Sequence, residues 1–424
     1  MLRSRMRSSS GSRSAGGGRN HIDQLRGATR LAVEATRGIA ALVEKMHVTI
    51  ASGPAVLGRP LATPARLTTG AVYASIQGIT RLVGAGLDLA LAQLAPLLEV
   101  SAAGGQRDVV LAVVNGVLGD YLHDTANPLE IEMQLRYAGS TLELAPEAMR
   151  AAVPNATSKV VVLVHGSCMT ASQFTRAGHD HGEALARELG YTPVYLVYNS
   201  GLHISTNGHA LAALLEQLVA AWPVPIDELV LLGHSMGGLV ARSACHVAPD
   251  HGHSWQRRLR ALITLGSPHH GAPLERGGNW IDRLLELSPY SAPLGALGRI
   301  RSAGVTDLRF GNVLDEDWQG RDRFAHGADP RSSCPLPRDV PCYAIAGTLS
   351  TQAGPRLRSD GMVSVESALG IHPRRELDLA IPETDRFIAF GTGHVELLGA
   401  PAVFATLRAW LATPPRAGAT PPSR

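Results

Sequence analysis

Short apolar runs alternate with segments of helical spacing along the middle of this chain. Residues 160–164, 194–198, 229–232, 261–265, 342–347 and 386–390 have the length of strands. Most of these runs carry apolar residues at consecutive positions, as strands buried on both faces do. Between them, apolar residues recur every three to four positions and predict helices near 181–189, near 206–221 and directly after Ser235. Strand and helix in turn predict an α/β fold, a mostly parallel sheet with helices on both faces. Ahead of it, residues 130–137 and 141–144, parted by Ala138-Gly139-Ser140, predict a β-hairpin feeding the same sheet.

Two regions depart from this rhythm. Residues 20–121 read as glycine-interrupted helices, with Leu, Val and Ile at helical spacing in 22–50, 67–98 and 108–122. The most apolar stretch, 70–100, contains Arg81 and Asp88, whose burial near mid-bilayer costs a few kcal/mol, so no spanning helix is expected. These helices either pack onto the body as an extra layer or bind a membrane or lipid surface, and packing is the first expectation. The second region is 272–333. Its Ile281, Leu284, Leu285 and Leu287, then Leu294, Leu297 and Ile300, predict short helices that form a lid or a purely structural excursion. The expected organisation is a basic arm over 1–20, helices over 21–125, one domain over 126–412 with the lid inside it, and a Pro-rich tail over 413–424.

Composition narrows the function classes. The chain has 424 residues, 45% of them hydrophobic, which suffices for a large core. Its formal net charge is +3, yet Arg3, Arg5, Arg7, Arg13 and Arg19 stand in the first twenty residues without an acid. Removing those five leaves the rest at about −2, so nucleic-acid binding is not expected. The basic arm lacks an apolar stretch after it and does not read as a secretory signal, which points to the cytoplasm. Cys168, Cys245, Cys334 and Cys342 lack metal-site spacing and are expected as free thiols; Cys334 and Cys342 are the pair that an oxidising compartment would join. His179-Asp180-His181 reads as a helix cap with solvated flanks, since no third or fourth ligand stands nearby. No metal or organic cofactor is expected.

The chemistry concentrates at Gly233-His234-Ser235-Met236-Gly237-Gly238, between the run 229–232 and a helical segment. A strand that breaks into Gly-x-Ser-x-Gly and opens a helix is a nucleophile elbow. The glycines leave room for a tight turn that lifts the serine hydroxyl clear of the backbone. An oxyanion hole requires two convergent backbone amides, one just after the nucleophile and one from an earlier strand–helix loop. Met236 supplies the first. The loop His165-Gly166-Ser167-Cys168 supplies the second, with Ser167 preferred and Cys168 as the alternative.

The order Ser…Asp/Glu…His then seeks a base and a carboxylate downstream. His394 follows the predicted strand 386–390 in Gly391-Thr392-Gly393-His394, and His372, ahead of Pro373, is its nearest rival. Asp360 lies in Ser359-Asp360-Gly361 after the strand 342–347. It is preferred to Glu366, Asp385 and Asp307 as the group that accepts the His394 Nδ1 proton.

These residues, together with Gly266-Ser267-Pro268-His269-His270-Gly271-Ala272-Pro273, resemble the lipase/esterase branch of the α/β-hydrolases. The style is that of bacterial triacylglycerol lipases and of proteins like the GPI inositol-deacylases. The resemblance spans roughly residues 156–412. It implies the α/β-hydrolase fold, an ester or lipid substrate, and a loop near Ser267 at the active-site entrance, which would make His269 and His270 substrate-side residues or members of a mere connection. The expected activity is ester hydrolysis through an acyl-enzyme on Ser235. An acyltransferase would share its first half, and a lipid-surface adaptor through the N-terminal helices is the non-enzymatic alternative.

Overall fold

The computed structural model describes residues 104–272, 301–322, 329–354 and 358–413. In chain order its elements are α1 (Gly104–Asp124), β1 (Gln134–Tyr137), β2 (Ser140–Thr141), α2 (Pro146–Ala152), β3 (Lys159–Val164), α3 (His181–Leu189), β4 (Thr192–Val197), α4 (Ile204–Ala221), β5 (Glu228–His234), α5 (Met236–Val247), β6 (Leu259–Leu265), α6 (Ala303–Asp307), β7 (Cys342–Thr348), α7 (Val365–Ala368), β8 (Arg386–Phe390) and α8 (Pro401–Ala412). The strands form an eight-stranded sheet in the order β2-β1-β4-β3-β5-β6-β7-β8. β3 to β8 are parallel, and the hairpin β1–β2 joins antiparallel to β4. This is the α/β-hydrolase sheet that the hydrophobic pattern and the motifs predict.

Alternation along each strand sorts side chains to the two faces. Val161 and Leu163 of β3, Val230 and Leu232 of β5, and Ile263 and Leu265 of β6 share one cluster with Leu185 of α3 and Leu407 and Leu411 of α8. Val160, Val162 and Leu231 alternate with them and are equally buried. Each such side chain contributes roughly 1.5–3 kcal/mol of burial, so the double-sided strands β3, β5 and β6 anchor the fold. The chain crosses the sheet at β3, and β5 stands beside it, so the loops after these two strands meet at one end.

The chain divides into two compact units, Met1–Gly104 and Gly105–Arg424. All but the first residue of α1 fall in the unit Gly105–Arg424 together with the sheet. Val109, Val113, Val117 and Leu122 of this helix are buried, and its glycine face allows close approach to loops of the body. The Asn199 side-chain amide donates to Gly119 O at 2.9 Å, and Arg136 pairs with Asp108 at 2.7 Å. The expected helices over 22–50 and 67–98 lie outside the described residues, as do the basic arm and the tail beyond 413. Among the described residues no helix is long and apolar enough to cross a membrane.

Part of the expected lid is described. Residues 301–322 pack into the body: Ser243 donates to Val313 O at 2.7 Å and Trp318 Nε1 donates to Ser205 Oγ at 2.8 Å. This stretch packs against α4 and α5. The expected helices around Ile281–Leu287 and Leu294–Ile300 lie outside the described residues.

Candidate active site

Ser235 is the single residue between β5 and α5, with φ 55° and ψ −126°. That backbone region is costly for any residue with a Cβ. Its amide donates to Leu265 O of the adjacent strand at 2.8 Å, which pins the turn to β6. Close backbone approach explains the flanking glycines. A Cβ at 237 would overlap Val164 O and stand 2.5 Å from His165 O, and one at 233 would overlap Gly238.

Three distant segments meet at this turn. His394 Nε2 lies 2.9 Å from Ser235 Oγ, and His394 Nδ1 lies 2.6 Å from Asp360 Oδ2. The other Asp360 oxygen accepts the amides of Met362 and Val363, at 2.9 and 2.8 Å. A carboxylate held by these donors accepts from Nδ1–H, which leaves Nε2 as the basic nitrogen facing the hydroxyl. The loops carrying the two residues are also joined, because the His394 amide donates to Asp360 O at 3.0 Å. Ser235, Asp360 and His394 are all buried, at 2%, 3% and 2% exposure.

Two further imidazoles line this group, and both stay neutral. His234 Nε2 donates to His394 O at 3.0 Å, and its ring centroid is 4.9 Å from that of His394. Burial, then the neighbouring His394, lowers its pKa to about 3. His165 stacks on Tyr198 at 4.4 Å, and burial lowers its pKa to about 4. Neutral rings here add no positive charge to oppose an imidazolium forming at His394.

The rival residues sit elsewhere. Asp307 accepts from Ile204 N and pairs with His203, Asp385 is buried at the start of β8, and Glu366 is exposed in α7. His372 packs against His270, with ring centroids 4.7 Å apart. In the loop after β3, the Cys168 amide donates to Ser200 Oγ at 3.0 Å, so it is already committed. Gly166 runs against Ser235: a Cβ there would stand 2.9 Å from Ser235 Cβ.

His269 and His270 are held by contacts to β6, to Arg331 and to Ser367. His269 Nε2 lies 3.2 Å from Thr264 Oγ1, its carbonyl accepts from Arg331 at 2.8 Å, and its side chain is buried. The His270 amide donates to Ser367 Oγ at 3.0 Å.

The His179-Asp180-His181 motif is a cap, with Asp180 Oδ1 accepting from Glu183 N at 3.1 Å. Its flanks differ from expectation. His181 is fully buried, lies 2.8 Å from His179 and bonds Leu397 O at 2.9 Å, because α3 packs beneath the loop that carries His394. All four cysteines are free and buried. Among the described residues no cluster of three or more His, Cys, Asp or Glu has a metal-binding arrangement.

Sequence reasoning missed His234, Ser200 and Gly266 as parts of the site. Gly266 has φ 59°, and a Cβ there would stand 3.1 Å from His394 Nδ1. The signal for His234 was its place inside the elbow motif; its bond spans 160 residues and leaves no local trace.

Residues 155–323 match the PGAP1-like alpha/beta domain family. That span holds the elbow and ends before Asp360 and His394. A triacylglycerol lipase from Burkholderia plantarii is 30% identical over 139 residues, 32% of this chain and 36% of that protein. The chain thus matches about a third of the length of this curated relative. Among solved structures, the mature lipase BlEst2 of Bacillus licheniformis superposes with a TM-score of 0.40 at 18% identity, covering 60% of this chain and 92% of that one. The esterase Pf2001 of Pyrococcus furiosus gives 0.36 at 14% identity, covering 61% and 81%.

Proposed function

We propose that this chain, an α/β-hydrolase similar to lipases and esterases, cleaves carboxylic esters through an acyl-enzyme on Ser235. The observation that carries the reading is the continuous line from Ser235 Oγ through the His394 ring to Asp360, with contacts of 2.9 and 2.6 Å.

In this reading Ser235 Oγ attacks the acyl carbonyl carbon while its proton passes to His394 Nε2. Asp360 holds the ring in the required tautomer and stabilises the imidazolium without taking the proton itself. The carbonyl oxygen becomes an oxyanion, held by the amides of Ser167 and Met236. Collapse of the tetrahedral intermediate expels the alkoxide, which leaves as an alcohol with the proton from His394. Water then attacks the acyl-enzyme by the same route and releases the acid. Positioned proton transfer supplies about 10²–10⁴ in rate, and the loss of one oxyanion donor costs about 10²–10³, so both devices are needed.

The match to a protein named triacylglycerol lipase supports lipid esters as the substrate class. The test is a series of esters of increasing acyl length, with wild type beside Ser235→Ala. Hydrolysis by wild type that disappears in Ser235→Ala is expected. Equal turnover by both proteins would remove the nucleophile assignment.

A further inference from the structure

We propose that Ser200 is a positioning residue for the oxyanion hole and that α1 is the wall that holds it to that task. The inference deepens the reading above and rests on Ser235 as nucleophile.

The loop after β3 offers two successive amides, Ser167 and Cys168, as candidates for the second donor of the oxyanion hole. Cys168 adopts φ 57°, a left-handed conformation rare for a residue with a Cβ. The structure contains the restraint that keeps it there: its amide donates to Ser200 Oγ at 3.0 Å, with both residues buried. This bond withdraws the Cys168 amide and leaves the Ser167 amide for the oxyanion. Without the hydroxyl, the loop relaxes by turning the peptide between Ser167 and Cys168, which moves the Ser167 amide from its place.

Ser200 is itself fixed from both sides. Asn199, just before it, donates from Nδ2 to Gly119 O of α1 at 2.9 Å and accepts from Gly201 N at 3.0 Å. Just after it, Gly201 O accepts from Gly304 N of α6 at 3.0 Å. The same helix α1 presses on the oxyanion loop directly. A Cβ at Gly116 would overlap Cys168 Sγ and stand 3.0 Å from both Cys168 Cα and N. Ser302 donates to Gly116 O at 2.6 Å, so α1, the turn at Ser200, the oxyanion loop and the start of α6 form one packed unit. A helix that precedes the sheet thereby sets the geometry of an amide beside the nucleophile.

The test uses the full chain as wild type, Ser200→Ala, Ser200→Thr, Ser200→Cys and Gly116→Val. Three quantities are read: kcat and KM on the best ester of the series, the inhibition constant of an alkyl boronic acid, and the melting temperature. The boronic acid is informative because Ser235 Oγ adds to boron to give a tetrahedral anion that needs the two amides. Ser200→Ala is expected to lower kcat about ten- to a hundredfold, short of the full loss of a donor, with KM within about twofold. Its boronate affinity should fall in parallel with kcat. Ser200→Thr restores most of both, while Ser200→Cys, of similar volume but a weaker acceptor, and Gly116→Val fall in the same direction as Ser200→Ala. If Ser200→Ala does not fold, Ser200→Cys carries the same comparison. Ser200 variants with wild-type kcat and boronate affinity overturn the inference, even where the melting temperature drops. A wild type that hydrolyses no ester and takes no fluorophosphonate at Ser235 removes the nucleophile assignment and this inference together. An active wild type with indifferent Ser200 variants removes this inference alone.

Discussion

His234 donates from Nε2 to the carbonyl oxygen of His394 at 3.0 Å, tying the residue before the proposed nucleophile to the backbone of the proposed base. The bond fixes the height of the His394 loop over the elbow independently of the Ser235–His394 contact. Replacing His234 by Phe keeps most of the ring volume and leaves the His394 carbonyl buried without this donor, at a cost of about 1–3 kcal/mol. The expected result is a kcat roughly tenfold lower with KM nearly unchanged, since small misplacements of a catalytic group are expensive in rate. Steady-state kinetics and thermal melts on His234→Phe test this; unchanged kcat would mean that the Asp360 contact alone positions the ring.

Asp360→Asn tests the tautomer argument. Asp360 Oδ2 faces His394 Nδ1 at 2.6 Å, while Oδ1 accepts from Met362 and Val363. The amide retains one oxygen for the two backbone donors and turns its NH₂ toward Nδ1. The ring then carries its proton on Nε2, where it cannot accept from Ser235. A fall of about 10⁴ in kcat is expected, with the fold intact by circular dichroism. Partial recovery at high pH, where hydroxide or a serine alkoxide needs less help, is the accompanying signature.

The sheet was legible because its central strands are buried on both faces, so β3, β5 and β6 appear as unbroken apolar runs. Ser235, Asp360 and His394 were legible from local sequence context and chain order, and the structure brings those three together. The role of α1 was not legible. Gly116 and Gly119 read as helix-weakening residues, whereas their partners, Cys168 and Asn199, lie tens of residues downstream. The left-handed turn at Cys168 has no glycine or asparagine to announce it. His269 and His270 read as entrance residues from their loop motif; the bond from Arg331 to His269 O spans 62 residues and left no local trace.

Buried neutral imidazoles make acid stability a direct readout of this packing. Burial lowers the pKa of His165 and His181 to about 4 and of His234 to about 3, and it also holds His269 well below the ordinary value. The unfolded chain takes up these protons near pH 6.5, while in the folded chain His165, His181 and His234 do so only near 3–4 and His269 well below its ordinary value. The stabilisation is therefore fully present above pH 6.5 and is lost progressively as pH falls toward 4. Each ring removes about 1.4 kcal/mol per pH unit within that window. Chemical denaturation from pH 7.5 to 4.5 is expected to show stability falling steeply below 6.5. A flat profile would mean that these rings are solvated in the folded protein.

Ser235 also stores strain, and that makes a prediction opposite in sign to most active-site substitutions. Its φ of 55° and ψ of −126° suit glycine, and such a conformation costs a residue with a Cβ about 1–3 kcal/mol. Ser235→Gly relieves this cost and loses the bond to His394, while the more flexible unfolded chain opposes the gain by about 0.4–1 kcal/mol. The net expectation is a higher melting temperature in a protein with no esterase activity. Ser235→Ala keeps the Cβ and the strain, so it should be inactive without the same gain. Melting the three proteins side by side separates strain from the lost hydroxyl. A Ser235→Gly protein less stable than Ser235→Ala would show that the elbow conformation carries no such cost here.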